Sequence, residues 1–212
     1  IMNGKMIVFD GNSILNRAYY GVRPLNTKDG FPTNALFGFV NILQKNLAPG
    51  YDYAAIAYDL REKTFRHIRC DTYKATRRPM PEDLAKQLPV SKEIAELMGL
   101  HVLTAAGFEA DDILGTLSRI AKENDVECVI VTGDRDSYQL VCDGVTVHLA
   151  ANNETRIIDT KAIDELYGLT PSQLIDLKAV MGDSSDNISG VPGIGEKGAL
   201  ELMHQYGSLD GI

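Results

Sequence analysis

The sequence predicts an α/β protein with a central, mostly parallel β-sheet flanked by helices. Three apolar runs are too short for buried helices and have the composition of buried parallel strands. Segments with apolar residues at helical spacing lie between them. Each run is followed by an aspartate where the strand would end, and ligands bind at this end of such sheets. The runs and their acids are Lys5 to Asp10, Tyr53 to Asp59, and Cys128 to Val131 with Asp134 beyond it.

Helices and shorter strands fill the rest of the chain. Pro89 is expected to divide one helical pattern into two pieces, because proline interrupts helical hydrogen bonding. Asn152 and Asn153 predict a turn between two paired edge strands. In the first half of the chain, the remaining elements are a helix after Asp10, a helix that begins after Pro32 and Thr33 and ends at Pro49, and the two helical pieces around Pro89, the second from Val90 to Met98. A strand from His101 to Thr104 and a helix that begins with Phe108 to Asp112 follow. The last elements are the edge strands Val145 to Leu149 and Arg156 to Ile158, a helix that begins at Thr170 and Pro171, and a helix from Glu196 to Tyr206.

Composition bounds the size and class of the protein. With 212 residues and 44% hydrophobic content, the chain can form one full α/β domain and a small appendage. No run of about 18 apolar residues occurs and no leader precedes the first strand, so we expect a cytosolic protein without a membrane segment. Three cysteines without CxxC spacing and four scattered histidines indicate reduced thiols rather than a zinc site.

Charge is unevenly distributed along the chain. The 21 basic and 29 acidic residues give a net charge of −8, which on its face argues against a nucleic-acid partner. If nine acids belong to one metal site, the remaining surface is close to neutral and its basic residues are free to cluster. Seven basic residues and only two acids lie between Arg61 and Arg78, a stretch named here the basic segment. It is a candidate phosphate-binding element, and a solvated surface loop is the alternative.

The strand-end acids predict a metal site. Because the carboxyl ends of parallel strands meet at one edge, we expect Asp10, Asp59 and Asp134 to lie close together. Phe108 to Asp112 adds three acids in four residues at a helix start, more than capping requires. Asp136 has helix capping as an alternative role. Carboxylates packed this closely repel unless a cation lies between them, and carboxylates without His or Cys select Mg²⁺ or Mn²⁺.

A second informative stretch is GDSSDNISGVPGIGEK, residues 182–197. Asp183 and Asp186 add two carboxylates. Gly193 and Gly195 permit a tight turn into the last helix, whose first N–H groups can hold a DNA phosphate without reading a base. With a helix on either side, the stretch is typical of a helix-hairpin-helix element.

These motifs together resemble those of the 5′ nucleases, the family of flap endonucleases and of the 5′-to-3′ exonuclease domain of bacterial DNA polymerase I. The motifs are FDGNS, TFRH, YKATR, FEADD, TGDRD and GDSSDNISGVPGIGEK, in family order from about Lys5 to Gly207. The resemblance implies a PIN/Rossmann-like nuclease core over residues 1–166, with a helical arch at about 61–98. It also implies a C-terminal helix-hairpin-helix (H3TH) region over residues 167–212, which stops short of the usual family length.

The resemblance further implies an activity and a role for individual residues. The activity is structure-specific, metal-dependent hydrolysis of DNA at 5′ flaps, nicks and 5′ ends in replication and repair, leaving a 5′-phosphate. Two or more Mg²⁺ or Mn²⁺ ions would bind two acid groups, and K⁺ would bind the hairpin. The first acid group is Asp10, Asp59, Glu109, Asp111 and Asp112, and the second acid group is Asp134, Asp136, Asp183 and Asp186. The implied catalytic cations are Lys74 and Arg77, and the implied DNA contacts are Tyr73, Arg78, Gly193, Gly195 and Lys197.

Departures from the family pattern leave alternatives open. Leu60 and Arg61 replace small residues, and Ser189 stands where proline is usual. Because the usual C-terminal helices are missing, a DNA-junction binding module without catalysis is one alternative. A PIN-type ribonuclease, which shares the strand-end acids, is another, although the arch and the GVPGIGEK hairpin argue for DNA. We expect a monomer in the bacterial cytoplasm, associated with the nucleoid and with a polymerase module in the full-length protein.

Overall fold

A central sheet organises the structure, a computed structural model that describes residues 3–150 and 155–212. Its strands are Lys5–Asp10 (β1), Tyr53–Ala57 (β2), His101–Leu103 (β3), Glu127–Thr132 (β4), Val145–Ala150 (β5) and Thr155–Ile158 (β6). The order across the sheet is β3-β2-β1-β4-β5-β6, and only the β5–β6 pair is antiparallel. The predicted α/β fold with a mostly parallel sheet is therefore confirmed.

Helices cover both faces of the sheet. In the described part of the chain they are Gly11–Gly21 (α1), Asn34–Leu47 (α2), Phe65–Arg69 (α3), Glu82–Leu97 (α4), Ala110–Glu123 (α5), Thr160–Tyr167 (α6), Gln173–Met181 (α7) and Glu196–Tyr206 (α8). Ile7 and Phe9 of β1 pack with α1, α2 and α4, whereas Val8 packs with the cluster that includes α5 to α8. All three side chains are fully buried, as expected for a strand covered on both faces.

The predicted break at Pro89 is wrong, because α4 runs through this residue without interruption. Buried side chains anchor the helix on both sides of the proline. Gln87 accepts a hydrogen bond from the Leu36 N–H, and the Ser91 hydroxyl bonds the Tyr58 hydroxyl at 3.0 Å. Pro89 itself is exposed. These contacts outweigh the one backbone hydrogen bond that proline removes.

The predicted helical arch, at about residues 61–98, is shorter in the structure. α4 packs against α1, α2 and β3, with Leu84 and Ala95 in the core. Residues 61–81 contain the short helix α3 and several turns. The part of the predicted arch that lies outside the core is therefore mostly non-helical.

A hairpin loop, residues 182–195, joins α7 to α8. Within it the two-residue strands Gly182–Asp183 (β7) and Ile188–Ser189 (β8) pair antiparallel. Gly182 has a φ of +75°, and a Cβ at this position would lie 2.3 Å from the Gly190 nitrogen. Only glycine fits so close a backbone contact. The contact fixes Asp183 at the end of α7, and the helix-hairpin-helix architecture agrees with the prediction.

Three further sequence predictions concern the sheet edge, the cysteines and the membrane. The antiparallel β5–β6 pair confirms the edge strands, whereas the predicted Asn152–Asn153 turn lies outside the described residues. Cys70, Cys128 and Cys142 are free thiols. Among residues 3–150 and 155–212, no helix has the length and apolarity needed to cross a bilayer.

Candidate metal centre

An acidic cleft lies at the edge of the sheet where β1, β2 and β4 end. Its volume is about 660 Å³, and the acids that line it are Asp10, Asp59, Glu109, Asp111 and Asp134. Asp10 is the last residue of β1, whereas Asp59 and Asp134 follow β2 and β4 by two residues. The structure thus brings the three strand-end acids together with two acids from the start of α5.

Asp10 is the most enclosed of the strand-end acids, with 5% of its surface exposed. One carboxylate oxygen accepts a hydrogen bond from the Ser13 N–H and caps α1, and the other accepts one from the Thr132 hydroxyl. Burial raises the pKa of Asp10 to about 6 despite these hydrogen bonds, and the charges of Asp59 and Asp134 act in the same direction.

Asp111 has the largest shift among these acids. Desolvation inside the cleft, followed by the charges of the three strand-end acids, raises the pKa of Asp111 to about 8, although the side chain is partly exposed to solvent. Asp59 lies beside it and accepts a hydrogen bond from the Ala110 N–H at 2.7 Å. Within the described residues, Asp10, Asp59, Asp111 and Asp134 form no ion pair with a basic side chain. Uncompensated carboxylates gathered in one cleft are the arrangement that a bound cation stabilises.

Glu109 and Asp112 differ from these acids because the basic segment already binds them. Arg66 donates two hydrogen bonds to Asp112, at 2.7 and 2.9 Å. The Tyr73 hydroxyl and Lys74 Nζ each lie 2.9 Å from the same Glu109 oxygen. Although burial acts to raise the pKa of Asp112, the hydrogen bonds from Arg66 and from the backbone lower it. Asp112 lines an adjoining pocket rather than the acidic cleft.

The second acid group is also bound largely by the chain's own cations. Lys178 Nζ lies 2.7 Å from Asp136 Oδ1 and 2.8 Å from Asp183 Oδ2. Arg77 Nη2 lies 2.5 Å from Asp186 Oδ1. Burial acts to raise the pKa of Asp183, but hydrogen bonds from Lys178 and a neighbouring serine hold it well below its usual range. Asp134 alone of this group faces the acidic cleft.

The donor atoms of the predicted metal ligands suit a hard divalent cation, but the distances between these ligands are too long for one ion. In the part of the chain that the structure describes, no three His, Cys, Asp or Glu side chains are grouped closely enough to hold one metal ion. Five of the nine predicted ligands are instead paired with Arg66, Lys74, Arg77 or Lys178. Donors that are all carboxylate oxygens suit Mg²⁺ or Mn²⁺. Binding therefore requires the acids to move closer together around the ion.

The basic segment borders the acidic cleft through Lys74, Arg77 and Arg78. The predicted DNA contact of Tyr73 is not supported, because only 6% of its surface is exposed. Its ring packs edge-on against His67, with centroids 5.1 Å apart, and its hydroxyl binds Glu109. Tyr73 therefore anchors the basic segment and has no free ring face for a base.

The predicted hairpin contacts form a separate surface. Gly193, with a φ of +82°, and Gly195 lead into α8, and Lys197 lies in its first turn. All three residues are exposed. They are not among the residues that line the acidic cleft. The structure thus leaves them available to a ligand that extends beyond the cleft.

Sequence reasoning missed two parts of this region. One face of α1 lines the cleft through Asn12, Asn16, Arg17 and Tyr20, and their spacing of three to four residues after Asp10 was the available signal. The Arg17 Nε is buried without a hydrogen-bond partner among the described residues. Lys178 was also missed, because α7 contains other polar residues, Gln173 and Asp176, and nothing in its sequence distinguishes the lysine.

Comparison with known proteins identifies the family. The family model described as "5'-3' exonuclease, N-terminal resolvase-like domain" matches residues 5–168, and "5'-3' exonuclease, C-terminal SAM fold" matches residues 169–212. The chain belongs to the 5′-3′ exonuclease family. This result confirms the resemblance drawn from the sequence motifs.

Members of the 5′-3′ exonuclease family similar to this chain include two bacterial DNA polymerases. DNA polymerase I of Caldicellulosiruptor bescii is 40% identical over 213 residues, which cover 98% of this chain and 25% of the relative. The thermostable DNA polymerase I of Thermus thermophilus is 40% identical over 210 residues, with 99% and 25% covered. The chain thus spans about a quarter of the length of these relatives.

Solved structures share the fold at lower sequence identity. The T5 5′-exonuclease with bound zinc has a TM-score of 0.80 at 21% identity, covering 96% of this chain and 76% of that one. The bacteriophage T5 D15 flap endonuclease, in a pseudo-enzyme-product complex with DNA and metal ions, has a TM-score of 0.79 at 22% identity, covering 97% and 76%. The catalytic core of Rad2 with a DNA substrate has a TM-score of 0.62 at 20% identity, covering 99% and 64%.

Proposed function

We propose that this chain is a metal-dependent 5′ nuclease that hydrolyses DNA phosphodiesters at 5′ flaps, nicks and 5′ ends. One observation carries the proposal: uncompensated carboxylates from three strands and one helix line a cleft that the cations of the basic segment border. Such a cleft combines donors for hard cations with partners for a phosphate. The printed names of the relatives, which include a 5′-exonuclease and a flap endonuclease with DNA, agree with this activity.

The reaction would take place between the acids and the basic segment. Asp10, Asp59, Asp111 and Asp134 would hold hard divalent cations, and the second acid group would complete the coordination. When bound, these ions supply an activated water and stabilise the leaving oxygen of an in-line hydrolysis. Lys74 and Arg77 would exchange their carboxylate partners for the oxygens of the scissile phosphate, as charge-assisted donors do.

The remaining chain would hold the DNA in position. Arg78 would bind the backbone beside the cleft, and Gly193, Gly195 and Lys197 would bind a duplex phosphate at the start of α8. We include in the proposal Mg²⁺ or Mn²⁺ as the catalytic ions and K⁺ at the hairpin. We also include a division into a nuclease core (1–166) and a helix-hairpin-helix region (167–212). The proposal further includes a polymerase module elsewhere in the full-length protein and a monomeric state. It also includes a role at the nucleoid in DNA replication and repair.

The test is cleavage of a 5′-labelled DNA flap with Mg²⁺, with Mn²⁺ or with EDTA. Asp111→Asn is the informative variant, because it removes one carboxylate charge and keeps the side-chain volume. We expect it to lower kcat by at least roughly 100-fold. Asp164→Asn, on the exposed side of α6, is the matched control and should cleave as wild type does.

Three outcomes would contradict the proposal. Full activity of the Asp111→Asn variant would show that the metal assignment is wrong. Tight flap binding without any metal-dependent product would identify a DNA-junction binding module. Preference for unstructured RNA over flap DNA would identify a PIN-type ribonuclease.

A further inference from the structure

We propose that Lys178 weakens the second divalent-cation site by occupying it, so that this site fills only when the lysine leaves. The inference rests on the proposed function, since it assumes that the acids bind divalent cations. Lys178 Nζ lies between Asp136 Oδ1 and Asp183 Oδ2, at 2.7 and 2.8 Å. The ammonium thus has the position between two carboxylates that a bridging cation would need.

The two acids come from different parts of the chain. Asp136 is in the 3₁₀-helix Arg135–Leu140 that follows β4, and Asp183 is in the hairpin loop after α7. Lys178 is near the end of α7, five residues before Asp183. Its ammonium therefore connects the sheet domain to the hairpin loop. A cation between two such carboxylates offsets their repulsion and lets them approach each other.

Asp183 shows why the lysine and a metal ion compete. Its Oδ1 accepts hydrogen bonds from the Ser185 N–H at 2.8 Å and the Ser185 hydroxyl at 2.6 Å. It also lies 3.3 Å from the Asp186 N–H. Oδ2 is the oxygen without a backbone donor, and Lys178 binds it. A divalent cation, which needs oxygen ligands at about 2.0 to 2.1 Å for Mg²⁺, must therefore displace the ammonium from Oδ2.

The first acid group offers a built-in contrast. Within the described residues, Asp10, Asp59 and Asp111 form no ion pair, so a divalent cation can bind these three acids without displacing an ammonium or guanidinium, whereas Glu109 and Asp112 of the same group are paired with Lys74 and Arg66. The side chain of Lys178 is 40% exposed, which lets it swing into solvent at modest cost, as for other exposed pairs. The two groups should therefore bind divalent cations in two classes, the tighter at the first acid group.

The experiment is a titration of the DNA-free protein with Mn²⁺, with free Mn²⁺ measured from its EPR signal. Lys178→Met removes the charge and keeps a long side chain, whereas Lys178→Arg keeps the charge. We expect two classes of binding in wild type. In Lys178→Met the weaker class should tighten by roughly three- to tenfold while the tighter class stays unchanged. Lys178→Arg should retain the weak class, and Lys161→Met, on the exposed surface of α6, should match wild type.

Opposite results would separate this inference from the proposed function. An unchanged or weaker second class in Lys178→Met, in protein whose circular dichroism and Tm match wild type, would overturn it and make Lys178 a structural tether. If Lys178→Met does not fold, Lys178→Gln is measured in the same way and judged by the same criterion. Flap cleavage by wild type is recorded in parallel. Metal-dependent cleavage together with an unchanged affinity of the second binding class would overturn the lysine inference alone. The absence of both Mn²⁺ binding and cleavage would overturn the lysine inference and the proposed function.

Discussion

At the scale of single residues, the acidic cleft combines function with a cost in stability. Asp111 lies in the cleft among like charges, and desolvation in the cleft together with those charges raises its pKa to about 8. Its unfolded value is about 3.8. The folded protein therefore holds this proton more tightly than the unfolded chain does. The resulting stability is fully present below the unfolded pKa and is lost as the pH rises through the folded pKa.

We therefore predict that metal-free protein loses stability as the pH rises from about 4 to 8. Because solvent screens the charge of this exposed side chain, Asp111→Asn should remove only part of this loss and raise the stability at pH 8 by up to about 1 kcal/mol, or roughly 2 to 4 °C in Tm. Thermal unfolding in EDTA at pH 5 and pH 8 measures both effects. Asp164→Asn should leave the pH dependence unchanged. A lower Tm for Asp111→Asn at pH 8 would contradict the assigned repulsion.

At the scale of elements, α4 stabilises the start of α2 with one buried side chain. Thr33 makes no side-chain cap at this helix. Gln87 from α4 accepts the Leu36 N–H instead, at 3.1 Å, and donates to Asn34 Oδ1 at 3.2 Å. It is fully buried, so removing its amide leaves both partners without hydrogen bonds and without water.

Gln87→Met, which preserves the volume of the side chain, should therefore lower the free energy of unfolding by about 1 to 3 kcal/mol. Urea denaturation followed by circular dichroism measures this loss. Gln44→Met, on the exposed face of α2, is the control and should change stability by less than about 0.5 kcal/mol. Equal stability of the two variants would mean that Gln87 contributes little to the start of α2.

Pro89 provides the opposite prediction at the same scale. The residue is exposed in the middle of α4 and cannot donate to the Ala85 carbonyl. Pro89→Ala should restore this hydrogen bond without loss of packing and raise the free energy of unfolding by about 1 to 2 kcal/mol. Flap cleavage should stay unchanged, since α4 contributes only Leu84 to the acidic cleft. A destabilised variant would show that the proline stabilises the protein chiefly by restricting the unfolded chain.

At the scale of the whole molecule, the basic segment is fastened to the hairpin loop. The Lys74 N–H donates to the Asp186 carbonyl and the Asn187 side-chain amide donates to the Thr72 carbonyl, both at 2.8 Å. Lys74 and Asn187 both have a φ of +56°. The segment that carries the candidate catalytic cations is therefore positioned by contacts from the C-terminal region.

Asn187→Gly should loosen this attachment, because glycine keeps the left-handed backbone and removes the side-chain hydrogen bond. We expect faster hydrogen–deuterium exchange over residues 72–78, with little change in the exchange of β1 and β4. Mass spectrometry of peptides from both regions measures the difference. Unchanged exchange over residues 72–78 would show that the remaining contacts of Glu109 and Asp186 suffice.

Sequence reasoning predicted the fold and the approach of the three strand-end acids to one another, because both depend on local patterns, whereas four of the nine predicted ligands lie outside the acidic cleft. Apolar runs closed by aspartates predicted where β1, β2 and β4 end. The continuity of α4 through Pro89 and the burial of Tyr73 could not be predicted, since they depend on partners distant in the chain. Gln87 meets Leu36 and Tyr73 meets Glu109 only after folding. The ion pairs of Lys178 belong to the same class, because nothing in the sequence of α7 specifies Asp136.

The unpaired acids of the cleft also favour an order of binding in which cations bind before DNA. In metal-free protein, a DNA phosphate that approaches Asp10, Asp59, Asp111 and Asp134 meets like charge at the bottom of the cleft. On the proposed function, cations that bind first would reverse this repulsion and attract the DNA strand. The association rate constant for DNA should therefore increase with divalent-cation concentration and decrease with added monovalent salt. For the proposed nuclease, the divalent-cation concentration would then govern how often the protein captures DNA as well as how fast it cleaves.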